Sequence, residues 1–214
     1  MQLDQLAGLL SLTAREARTL VTRWGHRGLA ESAALSSGPP WVWLTRHGLR
    51  ACGLPYAAVP PALSRLAHTR AVTAARLALE ATAEYRDGEA HWRSERHLRA
   101  RGRPGRREHL PDAEVHWPDT GLAWAGECWA IEAELTPKTL TRTTAIMREL
   151  LARTGDYGCP AAEAHVPGLP PRHDRAIYLC SPAAAGPVVR ARKALAALGD
   201  RIEIRPLPAS ALLA

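Results

Sequence analysis

Phenylalanine is absent from the 214 residues, and lysine occurs only at Lys138 and Lys193, so almost all the positive charge is arginine. Together with abundant Ala, Pro and Gly, this bias follows a GC-rich coding composition. The sign of the charge is therefore informative and the preference for guanidinium is not. No run of 18 apolar residues occurs, which excludes a hydrophobic spanning helix. The first residues show no basic-then-apolar leader, and a soluble cytoplasmic protein is expected. The four cysteines, Cys52, Cys128, Cys159 and Cys180, contain no Cys-x-x-Cys pair. Reduced thiols are expected and a structural zinc site is not. The nine histidines show no close ligand spacing and read as core or surface residues.

What is present is a net charge of +7 and a pI near 9.8, which points to a polyanionic partner. Residues 1–53 read as a winged helix-turn-helix. Leu3, Leu6 and Leu10 form a first apolar stripe, and Thr13-Ala-Arg-Glu16 is a capping box opening a second helix. Ala17, Leu20, Val21 and Trp24 make that helix's inner face. Arg15, Arg18, Thr19, Thr22 and Arg23 are left outside as candidate DNA contacts. Gly28 ends the helix, Leu29–Leu35 is a strand, residues 36–40 are a wing tip, and Trp41–Leu44 is the returning strand. Helix 1 needs a cover, which a later helix must supply. The alternative use of such a domain is dimerisation or packing.

Residues 54–61 form a proline-rich linker, and 62–214 a second domain. A helical pattern from Pro61 to Tyr85 carries Leu63, Leu66, Val72, Ala75, Leu79 and Thr82 on one stripe, ended by Asp87-Gly88. Ala90–Arg99 reads as a strand containing Glu95. Thr139–Arg153 is a helix, Asp156–His173 a long loop, Ala176–Cys180 a buried strand, Gly186–Leu198 a helix and Ile202–Leu207 a last strand. That order is an α/β sandwich with a mixed sheet.

The organising stretch is His109–Lys138, read as a β-hairpin with strands Leu110–Trp117 and Cys128–Leu135 joined by Pro-Asp-Thr-Gly. Pro111-Asp112 opens the first strand. Glu132 and Glu134 share one side of the second because alternate strand residues share a face. Ile131, Ala133 and Leu135 fill the other side. Thr136 and Pro137 suit a helix start, which would put Lys138 in its first turn. Converging carboxylates are the oxygen ligands that Mg²⁺ takes, although solvent-side acids of an amphipathic hairpin have the same pattern. Before the hairpin, the segment from Arg99 to Arg107 carries five arginines, both ends included, among Gly and Pro. Such a loop is exposed, either a solvated solubility feature or a phosphate-contacting loop through Arg101, Arg103, Arg106 and Arg107.

Glu95 upstream, Pro111-Asp112 on one strand and Glu132-x-Glu134 on the next resemble the restriction-endonuclease-like PD-(D/E)xK superfamily. A winged helix followed by this core resembles the replication-relaxation family of plasmids and mobile elements. The resemblance implies an αβββαβ core acting as a metal-dependent DNA nuclease or nickase in plasmid or mobile-element replication or transfer. Asp112 and Glu132 would hold Mg²⁺ or Mn²⁺, Glu134 or Lys138 would orient the attacking water, and Glu95 would assist at the metal edge. Expected partners are DNA and a second copy of the chain or other replication and transfer proteins, with no membrane. The superfamily has Lys where this chain has Glu134. The alternative is accordingly a catalytically silent DNA-binding regulator on a nuclease-like fold.

Overall fold

The computed structural model describes residues 1–101, 109–119, 121, 124–152 and 173–211. The chain divides into two compact units, Met1–Leu77 with Pro208–Ala214, and Ala78–Leu207. The division falls inside a helix, beyond the proline-rich segment 54–61 where the boundary is expected. No described helix is long and apolar enough to cross a membrane.

The first unit contains α1 (Leu3–Leu9), α2 (Ala14–His26), β1 (Ala30–Ala33), β2 (Trp41–Leu44), α3 (Arg46–Ala51) and the start of α4 (Leu66–Glu80). The capping box forms as its residue types require: Thr13 N donates to Glu16 Oε2 at 2.8 Å, and Glu16 N donates to Thr13 Oγ1 at 3.3 Å. Gly28 follows the helix with φ of 65°, the left-handed stop that glycine adopts without a Cβ penalty. β1 and β2 pair antiparallel from Ala30↔Leu44 to Ala33↔Trp41. Leu3, Leu6, Ala7, Ala17, Val21, Ala30 and Val42 form the core between them. Leu10, expected inside, instead follows α1 as its C-cap and is exposed. The expected cover for α1 is α4. Arg70 donates to Gln2 and, at 2.7 Å, to Asp4 Oδ2, while Gln5 Nε2 donates to the Arg70 carbonyl at 2.9 Å.

The second unit is built on a five-stranded sheet in the order β3 (His91–Ser94), β4 (Ala113–His116), β5 (Cys128–Glu134), β6 (Arg175–Cys180), β7 (Ile202–Pro206). The first three strands are antiparallel neighbours and the last three are parallel, a mixed sheet as expected. Residues paired across these strands share a face, so two layers follow from the register. On one side Ala130, Ala176, Tyr178, Cys180 and Ile202 pack under Met147, Leu150 and Leu151 of α7 (Leu140–Ala152) and Ala184, Val188 and Ala191 of α8 (Pro182–Lys193). On the other, Val115, Trp117, Trp129, Ile131 and Ile177 pack with Leu79, Ala90 and Tyr85 of α5 (Ala83–Asp87). Each fully buried large side chain here is worth about 1.5–3 kcal/mol in water removed from apolar surface.

Four local expectations change. The strand read over Ala90–Arg99 stops at Ser94, because Ser94 Oγ accepts from His97 N at 3.4 Å and a helix, α6 (Glu95–Arg101), begins. Glu95 is therefore the first residue of a helix. The single helix expected over 61–85 is a 3-10 turn followed by α4 and α5, and Leu63 is exposed. α7 starts at Leu140 because Thr139 Oγ1 accepts from Arg142 N at 3.3 Å; Thr136 does not cap it and Lys138 stays in the connection. α8 starts at Pro182, where Ser181 Oγ accepts from Ala184 N, and this frame buries Val188 while Val189 faces outward.

Candidate functional site

The expected acids lie at the C-terminal end of β5, but they are not solvent-side residues. All seven residues of β5 are buried, and Glu132 and Glu134 are each 3% exposed. Helices cover both faces of this sheet, so alternation along β5 separates two buried layers rather than core from water. Glu132 is paired with Tyr178 and Glu134 with Cys180 on the face beneath α7 and α8. Asp112, just before β4, accepts the Ala133 N–H at 2.9 Å and lies half-buried alongside.

The partners of these acids set their charge states. His109 Nε2 contacts Glu132 Oε1 at 2.7 Å, and the His109 N–H donates to Glu149 Oε1 of α7 at 2.6 Å. Lys138 Nζ donates to Glu134 Oε1. Burial and the charge of Asp112 push the Glu132 carboxyl up to about 7, against the opposing hydrogen bond from His109. Burial lowers the His109 pKa, but the Glu132 contact outweighs it and leaves the imidazole above its ordinary value. Burial, then the charges of Glu132, Glu134, Cys180 and Asp112, keep the Tyr178 phenol protonated, and its hydroxyl has no hydrogen-bond partner among the described residues.

The backbone of Glu95 reaches this end, where its N–H donates to the Asp112 carbonyl at 2.9 Å. Its carboxylate is engaged by Arg99, with Arg99 Nε 3.0 Å from Oε1. Having left the strand for α6, it no longer shares the face that the acids occupy.

A second cluster, unpredicted, occupies the other end of the same face. Glu114 and His116 of β4 lie opposite Ala130 and Cys128 of β5. Glu114 Oε2 meets His116 Nε2 at 2.9 Å, Glu114 Oε1 meets His173 Nε2 at 2.9 Å, and His116 Nε2 lies 3.7 Å from Cys128 Sγ. Burial would raise the Glu114 carboxyl, but the two imidazoles hold it far below the usual carboxylate range. His173 is fixed by its ring, whose Nδ1 lies 2.9 Å from the Leu150 carbonyl, and by Arg201, which donates to the His173 and Asp174 carbonyls. Donor atoms of Glu114, His116 and Cys128 lie within 4.8 Å of one another, so this buried cluster could hold a metal ion. No Mg²⁺ preference follows from it, since a thiol and an imidazole suit softer ions. The signal available in sequence was the Glu114-x-His116 alternation in phase with Asp112; Cys128 and His173 are distant in sequence and gave none.

No family model, curated protein or solved structure matches this chain.

On α2, Arg15, Arg18, Thr19, Thr22 and Arg23 are all exposed, while Ala17 and Val21 are buried. The Thr19 and Thr22 hydroxyls donate to the Arg15 and Arg18 carbonyls at 3.1 and 3.0 Å, which leaves them to present a lone pair and a methyl outward. Arg101 is the last residue of α6. Arg103, Arg106 and Arg107 lie outside the described residues, as does the expected loop from Asp156 apart from His173 at its end.

Proposed function

We propose that the chain is a DNA-binding protein of plasmid or mobile-element replication or transfer, with a winged helix-turn-helix at its N-terminus and a nuclease-like core that cuts or nicks DNA with a divalent metal. The observation that carries this reading is the gathering of Asp112, Glu132 and Glu134 on one sheet face around the unpartnered Tyr178 hydroxyl, with Lys138 beside them. The net charge of +7 and the exposed arginines of α2 support contact with a polyanion.

The donor set fits a hard divalent ion. Asp112 lies near enough for its charge to raise the buried Glu132 carboxyl, and the buried Tyr178 hydroxyl lacks a partner among the described residues. Asp112 and Glu132 would hold Mg²⁺ or Mn²⁺, which when bound supplies a Lewis acid for a phosphoryl oxygen and lowers the pKa of water. The chain's own groups do the rest. Lys138 Nζ, held on Glu134, offers a cation toward phosphate. Glu134 accepts from that ammonium and orients it. His109 Nε2 fixes the Glu132 carboxyl through its Oε1. Covering the face with α7 and α8 excludes bulk water and strengthens each of these interactions.

A second reading, a DNA-binding regulator without catalysis, draws on one observation: Glu132 and Glu134 are already compensated by His109 and Lys138. A supercoiled-plasmid assay with Mg²⁺ or Mn²⁺ separates the two. Metal-dependent nicking that disappears in Asp112→Ala is expected. Duplex DNA binding without nicking at any metal concentration would leave only the regulator.

A further inference from the structure

We propose that Glu114, His116 and Cys128 hold a structural zinc ion inside the β-sheet unit, with His173 bracing the other oxygen of Glu114, separate in place and chemistry from the Asp112 and Glu132 end.

The donor types come first. Imidazole nitrogen, thiolate sulfur and carboxylate oxygen are the three ligand classes of tetrahedral Zn²⁺, and a thiolate beside imidazoles disfavours Mg²⁺ and Ca²⁺. Tetrahedral bonds to Zn²⁺ put ligand atoms about 3.3–3.6 Å apart. His116 Nε2 and Cys128 Sγ are 3.7 Å apart, and His116 Nε2 and Glu114 Oε2 are 2.9 Å apart. The first edge already fits, and the second opens by a few tenths of an ångström when an ion replaces the proton between them.

The hold on Glu114 is the second argument. His173 lies beside the ligands, its Nε2 2.9 Å from Glu114 Oε1 and its Nδ1 2.9 Å from the Leu150 carbonyl. Fixing one carboxylate oxygen leaves the other, Oε2, turned toward His116 Nε2, and outer partners of this kind orient metal ligands.

Support of the ligands is the third. Each donor sits on a braced element: Glu114 and His116 on β4, and Cys128 at the start of β5, with His173 behind them where the chain enters β6. Cys128 N donates to Asp174 Oδ2 at 2.9 Å, and Asp174 N donates to the Cys128 carbonyl at 2.7 Å. The three donors thus belong to two paired strands, and one ion would staple them. All three side chains are buried, as expected of a structural rather than a catalytic centre.

The test uses the whole chain. Protein purified without chelator is expected to retain about one zinc per chain, and the stripped protein to bind Co²⁺ with a near-ultraviolet thiolate band and tetrahedral visible bands. Cys128→Ser should lose the thiolate band, whereas Cys180→Ser and Asp112→Ala should keep it. A Co²⁺ adduct without a thiolate band, or a band that survives Cys128→Ser, overturns the proposal. Should Cys128→Ser not fold, X-ray absorption on the wild-type zinc protein decides: one sulfur with nitrogen and oxygen neighbours is expected, and a shell of oxygen and nitrogen alone overturns it. Because Asp112→Ala removes the proposed catalytic ligand only, loss of nicking with an intact cobalt spectrum leaves this site standing.

Discussion

Glu114 and Glu132 lie on adjacent strands, on the same face of one sheet, at 2% and 3% exposure, and each touches a histidine. Their carboxyls nonetheless move in opposite directions, Glu114 far down and Glu132 up to about 7. Burial raises both, so the difference lies in the neighbours. Glu114 has an imidazole on each oxygen. Glu132 has one imidazole and the charge of Asp112 against it. One end of the face is thus a balanced ion cluster, and the other stores an unfavourable charge that a cation can relieve. The first arrangement suits stability and the second suits binding.

The largest test of this contrast is removal of each carboxylate. Glu114→Gln should cost about 3–5 kcal/mol in urea unfolding of the metal-free protein at pH 7, because two buried imidazoles lose their carboxylate partner. Glu132→Gln in metal-free buffer at the same pH should be near neutral, since the carboxyl it replaces is already about half protonated. Equal losses for the two variants would break the comparison.

The pH profile sharpens it, with opposite signs at the two ends. Glu114, whose folded pKa lies below its ordinary 4.5, contributes stability that is present above pH 4.5 and lost as the pH falls through the folded value. Glu132, raised from 4.5 to about 7, contributes stability that is complete below pH 4.5 and lost as the pH rises to about 7. At about 1.4 kcal/mol per unit, Glu132→Gln relative to wild type should gain about 2–3 kcal/mol between pH 4.5 and pH 8, reduced from the full shift because His109 loses its partner as well. A flat difference across that range would mean that Asp112 and burial do not act on Glu132 as the geometry requires.

How much of this was legible in the sequence divides along the same line. The capping box at Thr13, the strands of the hairpin, the mixed sheet and the alignment of Glu132 with Glu134 follow from local chemistry and alternation, which act over a few residues. The burial of those acids was not legible, because period-two alternation looks the same whether the second face meets water or a second layer of helices. Glu95 was misplaced because Ser94 redirects the chain by a local hydroxyl cap, a signal too short to outweigh the alternating pattern around it. The cluster at Glu114 left only the Glu114-x-His116 alternation in the sequence. Cys128 and His173 join it only when β4 pairs with β5 and His173 enters beneath α7, and no spacing along the chain encodes that meeting.

The smallest effect is expected at Tyr178, and it bears on what the unbalanced end is for. Its hydroxyl is buried without a partner, beside the charges of Glu132, Glu134 and Asp112. A buried donor left unsatisfied costs about 1–3 kcal/mol, so Tyr178→Phe, which keeps the ring and its packing, should stabilise the metal-free protein by about 1 kcal/mol. If Asp112 and Glu132 take a hydrated divalent ion, its water gives that hydroxyl a partner which phenylalanine cannot use. Mg²⁺ should then raise the melting temperature of the wild type more than that of Tyr178→Phe, and the variant's advantage should shrink as the metal is added. Thermal melts with and without Mg²⁺ measure both quantities. An advantage that stays constant across the titration would mean that the hydroxyl does not face the bound ion, and would favour the reading in which Lys138 and His109 alone neutralise this end of the sheet.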